Sequence, residues 1–150
     1  MRIALGADHA GVALKREVAR LLDERGIPYT DFGTSSTESV DYPDFAAVVG
    51  REVASGTYDR GILVCGTGTG MAIAANKIPG VRAAAPADQT TARLSREHND
   101  ANVLALGERL IGPEVARDIV TTFLTTPFSG GRHQRRVDKM NALDRAAELP

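Results

Sequence analysis

The chain has 150 residues, 43% of them hydrophobic and 25% charged, with a net charge of −1. That size and composition fit one globular domain over residues 1–150 and exclude a disordered chain. The near-neutral balance argues against a dedicated nucleic-acid binder, which needs a basic surplus, and no apolar run approaches the roughly 18–20 residues of a membrane span.

In chain order, the first predicted strand is Arg2–Leu5, entered at once from Met1 without a segment of signal type. Helical spacing follows over Val12–Glu24, with Gly26 placed for a left-handed cap. A strand at Tyr29–Phe32 precedes a helix over Pro43–Ser55, whose apolar stripe is Phe45, Val48, Val49 and Val53. Then come strand Gly61–Cys65, helix Gly70–Lys77, strand Val81–Ala85, helix Gln89–Glu97 and strand Val103–Leu106. Pro113 suits the first turn of a helix over Pro113–Leu124. A last helix, about Arg132–Ala147, follows the Gly130-Gly131 break and is free to pack against another subunit. Strands alternating with helices predict an α/β fold: a three-layer αβα sandwich around a five-stranded, mainly parallel, Rossmann-like sheet, plus the extra C-terminal helix. Sites in such sheets collect at the carboxyl ends of the strands.

The most informative segment is Ile62-Leu63-Val64-Cys65-Gly66-Thr67-Gly68-Thr69-Gly70-Met71. A strand runs into a loop with glycine at every second position, and a helix follows. Such a loop offers several N–H groups to an anion, whether phosphate, carboxylate or transient oxyanion. A dinucleotide fingerprint would need glycine where Met71 stands, although Asp88 lies at a suitable distance for a ribose contact. A Walker loop is excluded because no Gly-Lys-Ser/Thr follows.

Cys65 is the only cysteine, so no intrachain disulfide forms and a reducing, cytoplasmic setting is expected. At a helix N-terminus a thiol can serve as base or nucleophile; it can equally be a small residue ending a buried strand. Asp8-His9 follows the first strand and His98-Asn99 precedes the fifth. Each histidine is either a site residue or a satisfied structural one. Three histidines and one cysteine without short paired spacing give no metal site, and no Gly-x-Ser-x-Gly elbow marks a hydrolase. Arg132 and Arg136 share a helical face, able to clamp a phosphate or simply solvated. Arg109 would join the same anion if the fold brings them together.

Taken in order, Gly6-Ala7-Asp8-His9-Ala10-Gly11, Asp41-Tyr42-Pro43, Cys65-Gly66-Thr67-Gly68, Ala74-Ala75-Asn76-Lys77, Ser95-Arg96-Glu97-His98-Asn99-Asp100-Ala101-Asn102 and Gly131-Arg132-His133-Gln134 are familiar. Over nearly its whole length the chain resembles the ribose-5-phosphate isomerase B family, which includes galactose-6-phosphate isomerase subunits. The resemblance implies an aldose–ketose isomerase of sugar phosphates that dimerises with shared active sites, with tetramers left open. It implies neither metal nor organic cofactor, and no nucleic-acid or membrane partner.

In that reading Cys65 moves a proton between carbons 1 and 2, with Thr67 beside it in the catalytic set. Backbone amides of Gly66, Thr67, Gly68, Thr69 and Gly70 hold the enediolate oxygen. His98 helps open the sugar ring. Asp8, His9 and Asn99 contact the sugar or its phosphate, and Arg109, Arg132 and Arg136 bind phosphate, the last two from the partner subunit. Some relatives carry a glutamate base four places beyond the cysteine; here that place is Thr69. The chain also has Ala85-Pro86-Ala87 where relatives often carry a cysteine or polar residue, a difference expected to bear on the pocket. Ribose 5-phosphate is the expected substrate. A four- or six-carbon sugar phosphate, a non-catalytic sugar-phosphate sensor and a nucleotide-binding module are the alternatives.

Overall fold

Ile3, Leu5 and Ala7 of the first strand face one side and Ala4 the other, and all four are buried. Apolar residues on both faces mean helices on both faces. The computed structural model describes residues 1–146. Its strands are β1 (Ile3–Ala7), β2 (Tyr29–Asp31), β3 (Arg60–Cys65), β4 (Ala83–Ala84) and β5 (Val103–Gly107). Its helices are α1 (Val12–Glu24), α2 (Tyr42–Ala54), α3 (Thr69–Ala75), α4 (Gln89–Asn99), α5 (Pro113–Thr125) and α6 (Arg132–Ala146), with a 3-10 turn at His9–Gly11. All strand pairs are parallel, in the order β2-β1-β3-β5-β4.

The period of two sorts each central strand between two cores. Ile62, Val64, Leu104 and Leu106 join Leu14, Val18, Ile119 and Phe123 under α1, α4 and α5. Leu63, Cys65, Val103 and Ala105 join Val49, Val53, Met71 and Ala75 under α2 and α3. The sheet direction of the connections reverses at β1, with β2 on one side and β3 on the other. That reversal opens a crevice at the carboxyl ends of β1 and β3, where Asp8 and Cys65 stand.

Helix α1 has its predicted bounds, and Gly26 closes it at φ 63° with its N–H on the Asp23 carbonyl. Elsewhere the predicted bounds shift. In α2 the buried face uses Ala46 and Gly50 beside Val49 and Val53, and Val48 turns out, 38% exposed. Val81–Ala85 gives only the two residues of β4. Val81 dips into the α2–α3 core, and the Arg82 guanidinium spans the Asn99 and Asp100 carbonyls. The outer edge of β4 is closed by a side chain: Asn76 accepts the Ala83 N–H at 2.7 Å and donates to its carbonyl at 3.0 Å. That pairing ends α3 at Ala75 and protects an otherwise open edge.

Helix α6 does not stand wholly free. His133 and Val137 are buried against the chain's own body, Asn141 accepts from Arg82, and Asp144 accepts the Gly80 N–H. Leu143, 69% exposed, marks its outer face. Ala147, expected as the end of this helix, lies outside the described residues.

Candidate active site

The alternation that places Val64 under α1 turns Cys65 toward α3, whose first turn begins beside it. The Gly68 N–H donates to Cys65 Sγ at 3.1 Å, with the thiol buried. Gly68 sits at φ 78°, the left-handed region that glycine enters without strain, and this folds the loop back over the sulfur. Thr69 donates its N–H to Thr67 Oγ1. The backbone N–H groups of Gly66 and Thr67 have no protein acceptor among the described residues.

Around this loop lies a cavity of 340 Å³ lined by Asp8, His9, Ala10, Tyr42, Cys65, Gly66, Thr67, Gly70 and Arg109. Asp8 is 5% exposed, and its Oδ1 accepts the Ala10 N–H at 2.9 Å, which sets the 3-10 turn that carries His9. The Val40 N–H donates to His9 Nδ1 at 3.1 Å. That bond assigns the neutral imidazole's proton to Nε2, leaving it a donor there. Arg109 follows β5, with its backbone N–H on the Gly66 carbonyl, and its guanidinium makes no hydrogen bond or ion pair among the described residues. Donors on one side, a sulfur on the floor and an uncommitted cation at the rim suit an anionic substrate whose reaction develops charge on oxygen.

Seven of the sequence's candidates therefore share one cavity: Asp8, His9, Cys65, Gly66, Thr67, Gly70 and Arg109. Gly68 is buried beneath it and Thr69 points to solvent. Four others stand elsewhere in the chain. His98 and Asn99 end α4, and Arg132 and Arg136 begin α6. There the His98 ring stacks on His133, and neither arginine has an ion-pair partner among the described residues. Within one chain Arg109 does not share its cavity with Arg132 or Arg136. Ala85–Ala87 do not line it either.

Sequence reasoning missed two lining residues, Ala10 and Tyr42. Both lie in the quoted motifs, and Tyr42 stands directly before the helix predicted over Pro43–Ser55. The Tyr42 ring packs over Gly70, where a Cβ would come within 2.8 Å of it. Asp88, the residue suited to a ribose, is the N-cap of α4 instead. Its carboxylate takes the Thr91 hydroxyl and N–H, both at 2.7 Å, and these bonds hold it below the usual carboxylate range.

Residues 3–140 match the Ribose/Galactose Isomerase family. The chain belongs to this family. It is 49% identical over 143 residues to ribose-5-phosphate isomerase B of Escherichia coli, covering 95% of this chain and 96% of that protein. The D-erythrulose-4-phosphate isomerase of Pectobacterium atrosepticum is 42% identical over 141 residues, covering 93% of each chain. Among solved structures, Clostridium thermocellum ribose-5-phosphate isomerase B superposes with a TM-score of 0.96 at 54% identity, covering 98% of this chain and 99% of that one. Family and fold agree on an isomerase built on a Rossmann-like parallel sheet.

Proposed function

We propose that the chain interconverts ribose 5-phosphate and ribulose 5-phosphate by proton transfer between carbons 1 and 2. The observation that carries the reading is the buried Cys65 sulfur, met by the Gly68 N–H, beside the open Gly66 and Thr67 N–H groups in the cavity. Cys65, as thiolate, takes the proton from C2 of the open-chain aldose, and the electron pair moves through the new C1–C2 double bond onto O1. The Gly66 and Thr67 amides hydrogen-bond this oxyanion, which preorganised donors stabilise without reorganisation. The proton returns from sulfur to C1, while the O2 proton passes to O1 through the Thr67 hydroxyl. The product is the 2-ketose.

His9 Nε2–H and Arg109 hold the substrate, with Asp8 on its hydroxyls. The remote phosphate orients carbons 1 and 2 over the sulfur. His98, Asn99, Arg132 and Arg136 act from the second copy of a homodimer: His98 opens the furanose by protonating the ring oxygen, and the arginines close on the phosphate. What supports the shared site is the division described above: Arg132 and Arg136 begin α6 away from the Cys65 cavity, and neither has an ion-pair partner among the described residues. Each chain is then a single domain that completes its partner's site, and a cytoplasmic setting suits its free thiol.

A second reading keeps the mechanism and changes the chain length, favoured by the likeness to a D-erythrulose-4-phosphate isomerase. Steady-state assays on four-, five- and six-carbon sugar phosphates decide. The expected result is the highest kcat/KM on ribose 5-phosphate; a tenfold preference for another length overturns the substrate, and no turnover on any overturns the reaction.

A further inference from the structure

Two walls of the cavity come from distant parts of the chain and meet at one side chain. The Asp8–Ala10 wall enters α1 through Gly11, where a Cβ would lie 2.5 Å from the Val64 carbonyl oxygen. No side chain fits there, and α1 has no side-chain N-cap of its own. The Leu14 N–H, in the first turn, is accepted instead by Glu108 Oε2 at 2.9 Å, 94 residues further along the chain. A first-turn N–H has no intrahelical acceptor, so this carboxylate replaces the missing cap.

The same residue holds the opposite wall through its backbone. Its N–H donates to the Cys65 carbonyl at 2.9 Å, and the next N–H, of Arg109, donates to the Gly66 carbonyl at 3.0 Å. Glu108 lines a hollow with Leu14, Glu17, Ile111 and Pro113, separate from the Cys65 cavity. Glu108 itself does not line that cavity. We propose that Glu108 is a positioning residue for the isomerisation: it fixes the Asp8–His9 wall at its distance from Cys65 and Arg109 without touching substrate. The inference rests on the isomerase reading for its kinetic consequence alone.

The test compares Glu108→Ala, Glu108→Asp and Glu108→Gln, each confirmed folded by circular dichroism, on ribose 5-phosphate and with inorganic phosphate as a competing anion. Glutamine keeps an oxygen at the right reach; aspartate keeps the charge and falls short. Small misplacements of binding groups cost orders of magnitude, so alanine and aspartate are expected to raise KM and the phosphate inhibition constant by about tenfold, with kcat lowered by less than about threefold. Glutamine recovers KM to within about twofold. Wild-type KM in both Ala and Asp variants overturns the proposal, as does a loss confined to kcat or a glutamine variant as impaired as alanine. If the alanine variant does not fold, the aspartate–glutamine contrast decides alone. Should the wild type turn over no sugar phosphate, the isomerase reading fails by itself; phosphate affinity by calorimetry then tests Glu108, and equal affinity in all variants overturns its role.

Discussion

The imidazole of His98 lies flat on that of His133, ring centroids 4.3 Å apart and planes 10° from parallel. Burial, first, and then the facing His98, Arg132 and Arg136 charges push the His133 imidazole below its ordinary value, with Glu97 opposing. The folded chain therefore binds a proton here less readily than the unfolded chain does. The contribution is fully present above the ordinary histidine pKa of about 6.5 and is lost as pH falls through the lower folded value. Urea midpoints at pH 7.5 and 5.5 are expected to fall further for the wild type than for His133→Phe, which keeps a flat ring and removes the titration. Equal falls would remove His133 as the source.

Cys65→Ala is expected to cut kcat by at least about a thousandfold, in the range lost with a general base. Inorganic phosphate affinity should stay within about threefold of wild type, because the anion contacts lie on other residues. Turnover near the wild-type rate would refute the base assignment.

For Arg132→Ala, loss of a charge-assisted hydrogen bond worth about 1.5–3 kcal/mol predicts a KM raised roughly 10- to 100-fold. An unchanged KM takes Arg132 out of the phosphate site. Mixing Arg132→Ala with Cys65→Ala chains checks the shared site directly, since a hybrid dimer holds one site free of both changes and regains activity.

Replacing His98 by asparagine separates ring opening from isomerisation. An aldotetrose 4-phosphate has no free hydroxyl from which to close a furanose, so it meets the enzyme already open. On ribose 5-phosphate kcat/KM should fall by about 10²-fold, the scale of general acid catalysis, and on the four-carbon substrate far less. Equal losses on both count against the ring-opening role.

Much of this was legible in the residues themselves. Short apolar runs alternating with helical stretches located the five strands and six helices, and the Gly66–Gly70 loop after β3 pointed to an anion without naming a reaction. Ends were harder to read. Val81–Ala85 has the composition of a full strand, yet Asn76 occupies its outer edge and Val81 is drawn into the core. The division of the candidate residues into two groups was not legible either: only the packing of α6 on α4 puts His133 against His98, and no local pattern encodes that contact. Tyr42 was hidden in the same way, a helix-start residue by sequence and a wall by its contact with Gly70.

The place of β5 between β3 and β4 carries a consequence for how the chain is made. As synthesis proceeds, β3 emerges with one edge bare, and β4 follows with no neighbour to join. The Cys65 loop waits on the Glu108–Arg109 turn, whose N–H groups clasp its carbonyls. At about 5–20 residues per second that wait is roughly 2–9 s. During it, a nascent chain displays an apolar strand edge, and the Cys65 thiol, buried in the finished fold, has no completed shelter. The Cys65 loop is therefore among the last parts of the sheet to set, and a chain cut short before β5 lacks both the clasp on that loop and Arg109.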